Sequence, residues 1–436
     1  MPSLHFPLFI IFFISTYKIT NASTSFVSPI TRDQSTSLYT ISIYTKTPLE
    51  STDLLLDLGG KLSWIDCNSY TSTSHHYIPC GTSLCESLAS LACSNCFRQT
   101  GPGCNNNSCG LFPENPVIRN SVLAQALVDS VALVVNGGEF GELGIVPSFV
   151  FSCSDDSLLR GLPDGVSGLA GFGRGNYSLP AQVSSVYASP NIFALCLPSP
   201  SATSSGAAFF NTGGPYYFSP GTDLSSHLTY TPLILNPIGF TVITYYKHPS
   251  DEYFIGLTSI HINGKPVDIN QALLTIDSDG YGGTRLSTVT PYTTLQTSIY
   301  LAFIETFVNE SAALNLTMTD PVDPFEVCYN VSDVYSTRLG PAFPVIDLVM
   351  HSKDVFWRIF GVNSMVKIAG EDGDVWCLGF VDGGEKPRSS VVIGGRQMED
   401  NLLQFDLVSM RLGFSSSVLV HDTNCASFNF TEGPDL

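Results

Sequence analysis

Seven cysteines, Cys67, Cys80, Cys85, Cys93, Cys96, Cys104 and Cys109, crowd one short stretch of this chain. An odd number cannot close on itself, so at least one must bond to a distant partner such as Cys153, fastening the stretch to the body of the fold and removing entropy from the unfolded chain. The whole sequence holds 12 cysteines in 436 residues, an even count that suits a disulfide framework formed in an oxidising compartment. Cys93-Ser94-Asn95-Cys96 also has zinc-ligand spacing. No second CxxC and no paired histidines stand at ligand spacing, so disulfides are favoured and neither a metal nor another cofactor is expected.

The start of the chain agrees with that compartment. An apolar run from Phe6 to Ser15, followed by Asn21, Ala22 and Ser23, has the form of a secretory signal over residues 1–22, although it lacks a basic leading region. The run is about ten residues, short of the roughly twenty that a spanning helix needs, and no later segment spans, so no membrane anchorage is expected. Asn-X-Ser/Thr sequons at Asn21, Asn106, Asn176, Asn309, Asn315, Asn330 and Asn429 fit a glycosylating route, with Asn21 crowded at the signal end. A formal net charge of −19 argues against nucleic acid and anionic membranes as partners, because both repel an acidic protein.

Length and composition then set the architecture. A chain of 436 residues, 44% hydrophobic, exceeds what one core usually supports and has material for two lobes. Only 13% of residues are charged, and 37 Gly and 27 Pro favour short strands joined by turns, so an all-β fold with few short helices is expected. Tyr39, Ile41 and Ile43, then Leu54 to Gly60, then Leu62, Trp64 and Ile65 suggest hairpins. The segment Cys67 to Gly110 has little periodicity and reads as a stapled surface insertion. Asp164 to Gly173 is glycine-dense and apolar; lacking the Gly-Lys-Ser/Thr ending of a phosphate loop, it suits tight backbone packing beside a strand. Ser199 to Gly221, rich in Ser, Gly and Pro, is the expected lobe boundary, and Thr294 to Ala313 carries the longest helical pattern.

The order of Asp57-Leu58-Gly59 with Trp64, Gly168-Leu169-Ala170-Gly171, Tyr253 to Leu257, Ile393-Gly394, Phe405-Asp406 and Gly413-Phe414 resembles the pepsin-like aspartic proteases of plants over nearly the whole mature chain. The strings Cys104 to Gly110, Phe112 to Val117, Ser336 to Pro341 and Glu399 to Leu402 are similar to the branch of extracellular dermal glycoproteins, xyloglucanase and xylanase inhibitor proteins and basic 7S globulins. The resemblance implies a bilobal pepsin-like fold: a signal over 1–22, an N-terminal lobe over 23–222 carrying the Cys-rich insertion 67–110, and a C-terminal lobe over 223–436. It also implies six disulfides, pairing Cys67 with Cys153, Cys80 with Cys109, Cys85 with Cys104, Cys93 with Cys96, Cys196 with Cys425 and Cys328 with Cys377.

Peptide hydrolysis on such a fold needs two carboxylates sharing one proton, one activating water while the other protonates the carbonyl. By the resemblance Asp57 keeps the first position, but Leu58 follows it in place of a threonine. Ser287, in Leu286-Ser287-Thr288-Val289, stands where the second aspartate belongs, and Val289 replaces a glycine. A serine hydroxyl cannot share that proton, so Asp57 is expected to be a lone carboxylate hydrogen-bonded to Ser287, with no proteolysis. Ser287 as a nucleophile is disfavoured, since no sequence motif places a histidine base beside it.

What the resemblance implies instead is binding: a monomeric, extracellular protein of the plant apoplast that plugs the cleft of a secreted microbial glycoside hydrolase, an enzyme class that works with paired carboxylates. In the xyloglucanase-inhibiting members two loop arginines are thought to reach those acids. The first matches Arg338, whose planar fork suits a carboxylate, although an ordinary surface arginine is the competing reading. The second falls on Asp422, after His421, and an aspartate there would repel a catalytic carboxylate. The other functions to weigh are an active aspartic endopeptidase and a storage or ligand-binding glycoprotein like the 7S globulins.

Overall fold

A computed structural model describes residues 24–68, 70–96, 99–100, 104–241, 248–370 and 373–430. The signal expected over 1–22 and the sequon at Asn21 lie outside them. Two strand-rich halves meet on a shared antiparallel sheet. Phe26–Arg32 pairs with Gly206–Phe210, which pairs with Ile192–Cys196; the second half supplies Leu402–Asp406, then Arg411–Phe414, then Thr229–Ile234. The contact between halves is the register Phe193↔Phe405, where the rings stack at 4.7 Å with planes 9° apart. Gly206–Phe210 and Leu402–Asp406 are buried at every residue, as strands covered on both faces must be.

Gly206–Phe210 falls inside the Ser199–Gly221 stretch expected as a lobe boundary. Its Gly-Ala-Ala start is small and its Phe-Phe end apolar, a buried strand rather than a linker. A Cβ on Gly206 would collide with the Cys196 carbonyl, so small residues there serve close strand packing. By contrast, Tyr39–Thr45 alternates buried and half-buried positions, the signature of a strand with one covered face, and pairs with Glu50–Asp57 as a hairpin. The glycine-dense segment is likewise a matter of packing: Gly168–Gly171 runs parallel to the strand ending at Asp57, and a Cβ on Gly171 would lie 2.6 Å from the Gly60 carbonyl oxygen. The helical pattern over Thr294 to Ala313 is a helix at Thr297–Ala312, started by the Gln296 side chain, which accepts from Ser298 N at 2.9 Å.

The halves are also joined through Glu399. Its buried carboxylate accepts from Arg32 Nε at 2.9 Å, Tyr39 Oη at 2.8 Å and Arg396 Nη1 at 2.5 Å, so three donors offset the cost of burying it. Among the described residues no helix is long and apolar enough to cross a membrane.

Six disulfides form and no described cysteine is free. Cys67 bonds Cys153, Cys196 bonds Cys425 and Cys328 bonds Cys377. Inside the Cys-rich stretch the pairing differs from the one the resemblance implies: Cys80 bonds Cys93, Cys85 bonds Cys109 and Cys96 bonds Cys104, rather than Cys80–Cys109, Cys85–Cys104 and Cys93–Cys96. The reason lies in the chain path. Ala92–Ser94 is extended and pairs with Ser108–Leu111, so the backbone leaves Cys93 without turning back to bring Cys96 to it. Reciprocal bonds then hold the next segments together: Cys96 N donates to Asn106 Oδ1 and Asn107 N to Asn95 Oδ1, both at 2.9 Å, which sets Cys96 beside Cys104. Cys85, on the helix Ser83–Ser87, is buried with Cys109 among Ile78, Leu88, Ala126 and Val128. The stretch expected to be a surface insertion therefore has one edge rooted in the core.

Candidate functional site

The two halves present equivalent loops to each other where they meet. Glu50–Asp57 is parallel to Gly168–Gly171 and ends at Asp57; Thr284–Leu286 is parallel to Val391–Ile393 and ends just before Ser287. Leu58 is fully buried and Thr288 has no exposed surface. The Thr288 hydroxyl donates to the Leu56 carbonyl at 2.7 Å and accepts from Leu58 N at 3.1 Å, so one side chain clasps the backbone of the opposite loop on both sides of Asp57. Leu58, without a hydroxyl, returns no bond. Thr288 was not singled out from the sequence, where it stands among other hydroxyls, Ser287 and Thr290, with nothing local to mark it.

Asp57 is 7% exposed, and Oδ1 accepts from Gly59 N at 2.8 Å. Burial raises its carboxyl to about 6; the Gly59 and Gly60 amides and Arg285 oppose the rise, and the charge of Glu252 adds to it. The expected hydrogen bond from Ser287 does not form. The Ser287 hydroxyl instead accepts from Thr290 Oγ1 at 3.0 Å, and its amide donates to the Ile393 carbonyl at 3.0 Å, which fixes it in its own loop. Val289 packs beside Leu38, Leu55 and Trp64.

A second carboxylate does stand nearby, from Glu252, which no motif marks. Glu252 and Asp57 lie on either side of Gly59: a Cβ there would be 3.5 Å from Asp57 Oδ1 and 3.7 Å from Glu252 Oε1. Glu252 Oε1 is ion-paired to Arg285 Nη1 at 2.9 Å, and Oε2 accepts from Ser250 Oγ at 3.2 Å. Both oxygens of Glu252 are thus engaged by Arg285 and Ser250, and no hydrogen bond joins Glu252 to Asp57 among the described residues.

The other sequence-selected residues come together elsewhere. Arg338 lies at the tip of a tight hairpin between Ser336–Thr337 and Gly340–Pro341. Thr337 Oγ1 donates to the Gly340 carbonyl at 2.7 Å and accepts from Leu339 N at 3.1 Å. Gly340 is at φ +91°, and a Cβ there would strike the Val362 backbone, so this position requires glycine. Val362 N donates to the Leu339 carbonyl at 2.9 Å, tying the tip to the helix Gly361–Ser364. Residues 336–338 are exposed, whereas Pro341, Phe343 and Pro344 are buried, so the hairpin stands on a packed base.

Asp422, at φ +56° after the short helix Val418–His421, does not face outward alone. Its carboxylate forms an ion pair with Arg338 Nη1, and Arg338 Nη2 donates to the Val420 carbonyl at 3.5 Å. Both side chains are largely exposed, 57% and 78%, so the pair contributes only about 0 to 1 kcal/mol and another carboxylate can exchange into it. The sequons at Asn106, Asn176, Asn309, Asn315, Asn330 and Asn429 are all at exposed asparagines. Among the described residues no cluster of His, Cys, Asp and Glu has the form of a metal site.

Comparison with known proteins places this geometry. Residues 39–211 match the family described as xylanase inhibitor N-terminal, and residues 252–416 match xylanase inhibitor C-terminal. "Probable aspartic proteinase GIP1" of Glycine max is 52% identical, over 99% of each chain. The crystal structure of EDGP superposes with a TM-score of 0.89 at 46% identity, covering 93% of this chain and 98% of that one. Basic 7S globulin from soybean superposes with a TM-score of 0.78 at 34% identity, covering 93% and 98%.

Proposed function

Since the chain belongs to the xylanase-inhibitor family of pepsin-fold proteins, we propose that it is a secreted inhibitor of microbial cell-wall-degrading glycoside hydrolases, a xyloglucan-specific endoglucanase or a xylanase. It binds across the enzyme's active-site cleft and cuts no peptide. The observation that carries the reading is the Arg338 hairpin: a guanidinium at the tip of an exposed projection, held by a weak ion pair to Asp422 and a long bond to the Val420 carbonyl. Such a group can enter a cleft built around paired carboxylates and exchange Asp422 for one of them. Pre-organisation of the tip by Gly340 and Thr337 lowers the ordering cost of binding.

The same reading assigns Asp57 and Ser287 as the remains of a catalytic pair. With Ser287 committed to Thr290 and Glu252 to Arg285, Asp57 has no partner with which to alternate as acid and base. The name of the Glycine max relative favours an aspartic endopeptidase as the second reading. Acid proteolysis that is blocked by pepstatin and lost in Asp57→Ala would establish it. The names of other relatives point to a seed globulin, but an acidic chain of net charge −19 differs from proteins called basic.

The test is capture. Immobilised protein, passed through culture filtrate of a plant-pathogenic fungus, should remove xyloglucanase or xylanase activity and retain the enzyme. Filtrate that keeps its full activity, with no glycosidase retained, would refute the proposal.

A further inference from the structure

In the N-terminal half one strand changes neighbours and leaves a gap in the sheet. Phe26–Arg32 pairs with Tyr39–Thr45 at Ile30↔Ile41 but with Ala124–Val135 at Val27↔Val134, and Tyr39–Thr45 meets Ala124–Val135 at Tyr44↔Ala132. Beside the gap between these registers is a half-open cavity of about 430 Å³, within the size range of small-molecule sites. Its lining is apolar at Pro29, Ile43, Leu133 and Val134, and carries hydroxyls from Ser28, Ser42 and Ser51. Three aromatic residues complete it: Tyr44, Phe140 and Phe430. Phe430 is anchored, its ring 4.8 Å from that of Phe428, which packs on Phe209 and Phe218. Phe140 is 81% exposed, on a turn that Glu142 fastens: Glu142 N donates to the Glu139 carbonyl at 2.9 Å, and its carboxylate accepts from Glu139 N at 3.1 Å. Most of the Phe140 ring is therefore free to meet a ligand.

The charges around the cavity select the ligand. No charged side chain lines it. The Ser42 hydroxyl donates to the exposed Asp53 carboxylate, so what Ser42 has left to offer is an acceptor oxygen with a negative charge behind it. Glu139 and Glu142 flank Phe140 in the turn. The basic residues of the same strands and their connections are paired elsewhere, Arg32 with Glu399 and Lys46 with Glu50. We propose that the cavity binds an organic ammonium ion, a protonated amine on an apolar body about the size of an aromatic ring system. The body packs against Ile43, Leu133 and the open ring of Phe140, the aromatic faces attract the cation, and its N–H donates to Ser42, with Asp53 as the counter-charge. A carboxylate ligand finds no cation in the cavity and is repelled by a molecule of net charge −19. The site does not depend on the glycosidase-inhibitor reading.

The probe is dansylcadaverine, an ammonium ion with a fluorescent aromatic body, titrated into the full-length glycosylated protein at physiological salt. It should saturate one site per chain and bind about tenfold tighter than dansyl-aminohexanoate, which has a similar body and a carboxylate in place of the ammonium. Asp53→Asn and Phe140→Ala alter exposed side chains and should each weaken binding by about three- to tenfold, whereas Asp354→Asn, which removes an exposed carboxylate from another loop, should leave it unchanged. Competition on the unaltered protein gives a readout free of variant folding: 2-phenylethylamine should displace the probe, and 2-phenylethanol, of like shape without the charge, should do so far less. The proposal is overturned by equal losses in Asp53→Asn and Asp354→Asn, which would mark general attraction to an acidic surface, by equal competition from the amine and the alcohol, or by no saturable binding. Binding that appears only in Asn429→Gln or after removal of residues 431–436 would also overturn it, by showing that the protein's own glycan or terminus takes the space.

Discussion

Asp57 and Arg338 are the two charged side chains on which the functional reading turns, and their surroundings are opposite. Asp57 is 7% exposed, at the meeting point of two loops, and burial raises its carboxyl to about 6. Arg338 is 57% exposed at the end of a hairpin and is held by a carboxylate that is itself 78% exposed. A buried charge is paid for by the fold, and its removal changes stability; an exposed pair costs little to make or break and is free to take part in binding. Asp57 is therefore bound into the fold, while the hairpin tip has the exposure and loose pairing that the proposed recognition role requires.

That contrast can be broken in four places. The largest effect should come from the sheet joining the halves: Phe193→Ala removes a ring stacked on Phe405 and should destabilise by about 3 to 5 kcal/mol, read as a lower midpoint in denaturant. Next, Asp57→Asn should stabilise the protein above pH 6 by about 3 kcal/mol. The sign follows from the raised carboxyl. Between about pH 4 and 6 the unfolded chain loses a proton that the folded chain keeps, so stability falls as pH rises through that window, and the amide variant lacks this fall. An unaltered pH profile in the variant would show that Asp57 is not a buried acid.

Thr288→Val should cost about 1 to 3 kcal/mol by leaving Leu58 N and the Leu56 carbonyl without a partner. Ser287→Ala, one residue away, should cost less, because its hydroxyl serves only Thr290 within the same loop. Equal losses would erase the difference between clasp and remnant. The smallest effects should be at the hairpin, where Arg338→Ala and Asp422→Asn should each change stability by no more than about 1 kcal/mol. A larger loss at Arg338 would make it a structural residue and remove the ground for its recognition role.

The loops around Asp57 and the hairpin also differ in how far the sequence foretold them. Strand identity followed from local pattern, as in the alternation of Tyr39, Ile41 and Ile43, whereas the hydrogen bond expected between Asp57 and Ser287 was replaced by one from Thr290. The strand Gly206–Phe210 was hidden because small residues that pack tightly look like a linker. Disulfide partners within the Cys-rich stretch were set by strand register and by the bonds of Asn95 and Asn106, neither of which spacing encodes. Long-range charge pairs were invisible for the same reason. Arg338 and Asp422 are 84 residues apart, and Glu252 meets Arg285 because the strand Phe254–Ile255 pairs with Thr284–Leu286.

Inhibition of a purified fungal xyloglucan-specific endoglucanase, measured for the unaltered protein and for Arg338→Ala and Arg338→Lys, tests the central claim most directly. The account predicts inhibition by the unaltered protein, a loss of about 2 to 5 kcal/mol in Arg338→Ala expressed mainly as faster dissociation, and partial recovery in Arg338→Lys, whose ammonium keeps the charge without the fork. Strong inhibition that is identical in all three proteins would contradict it.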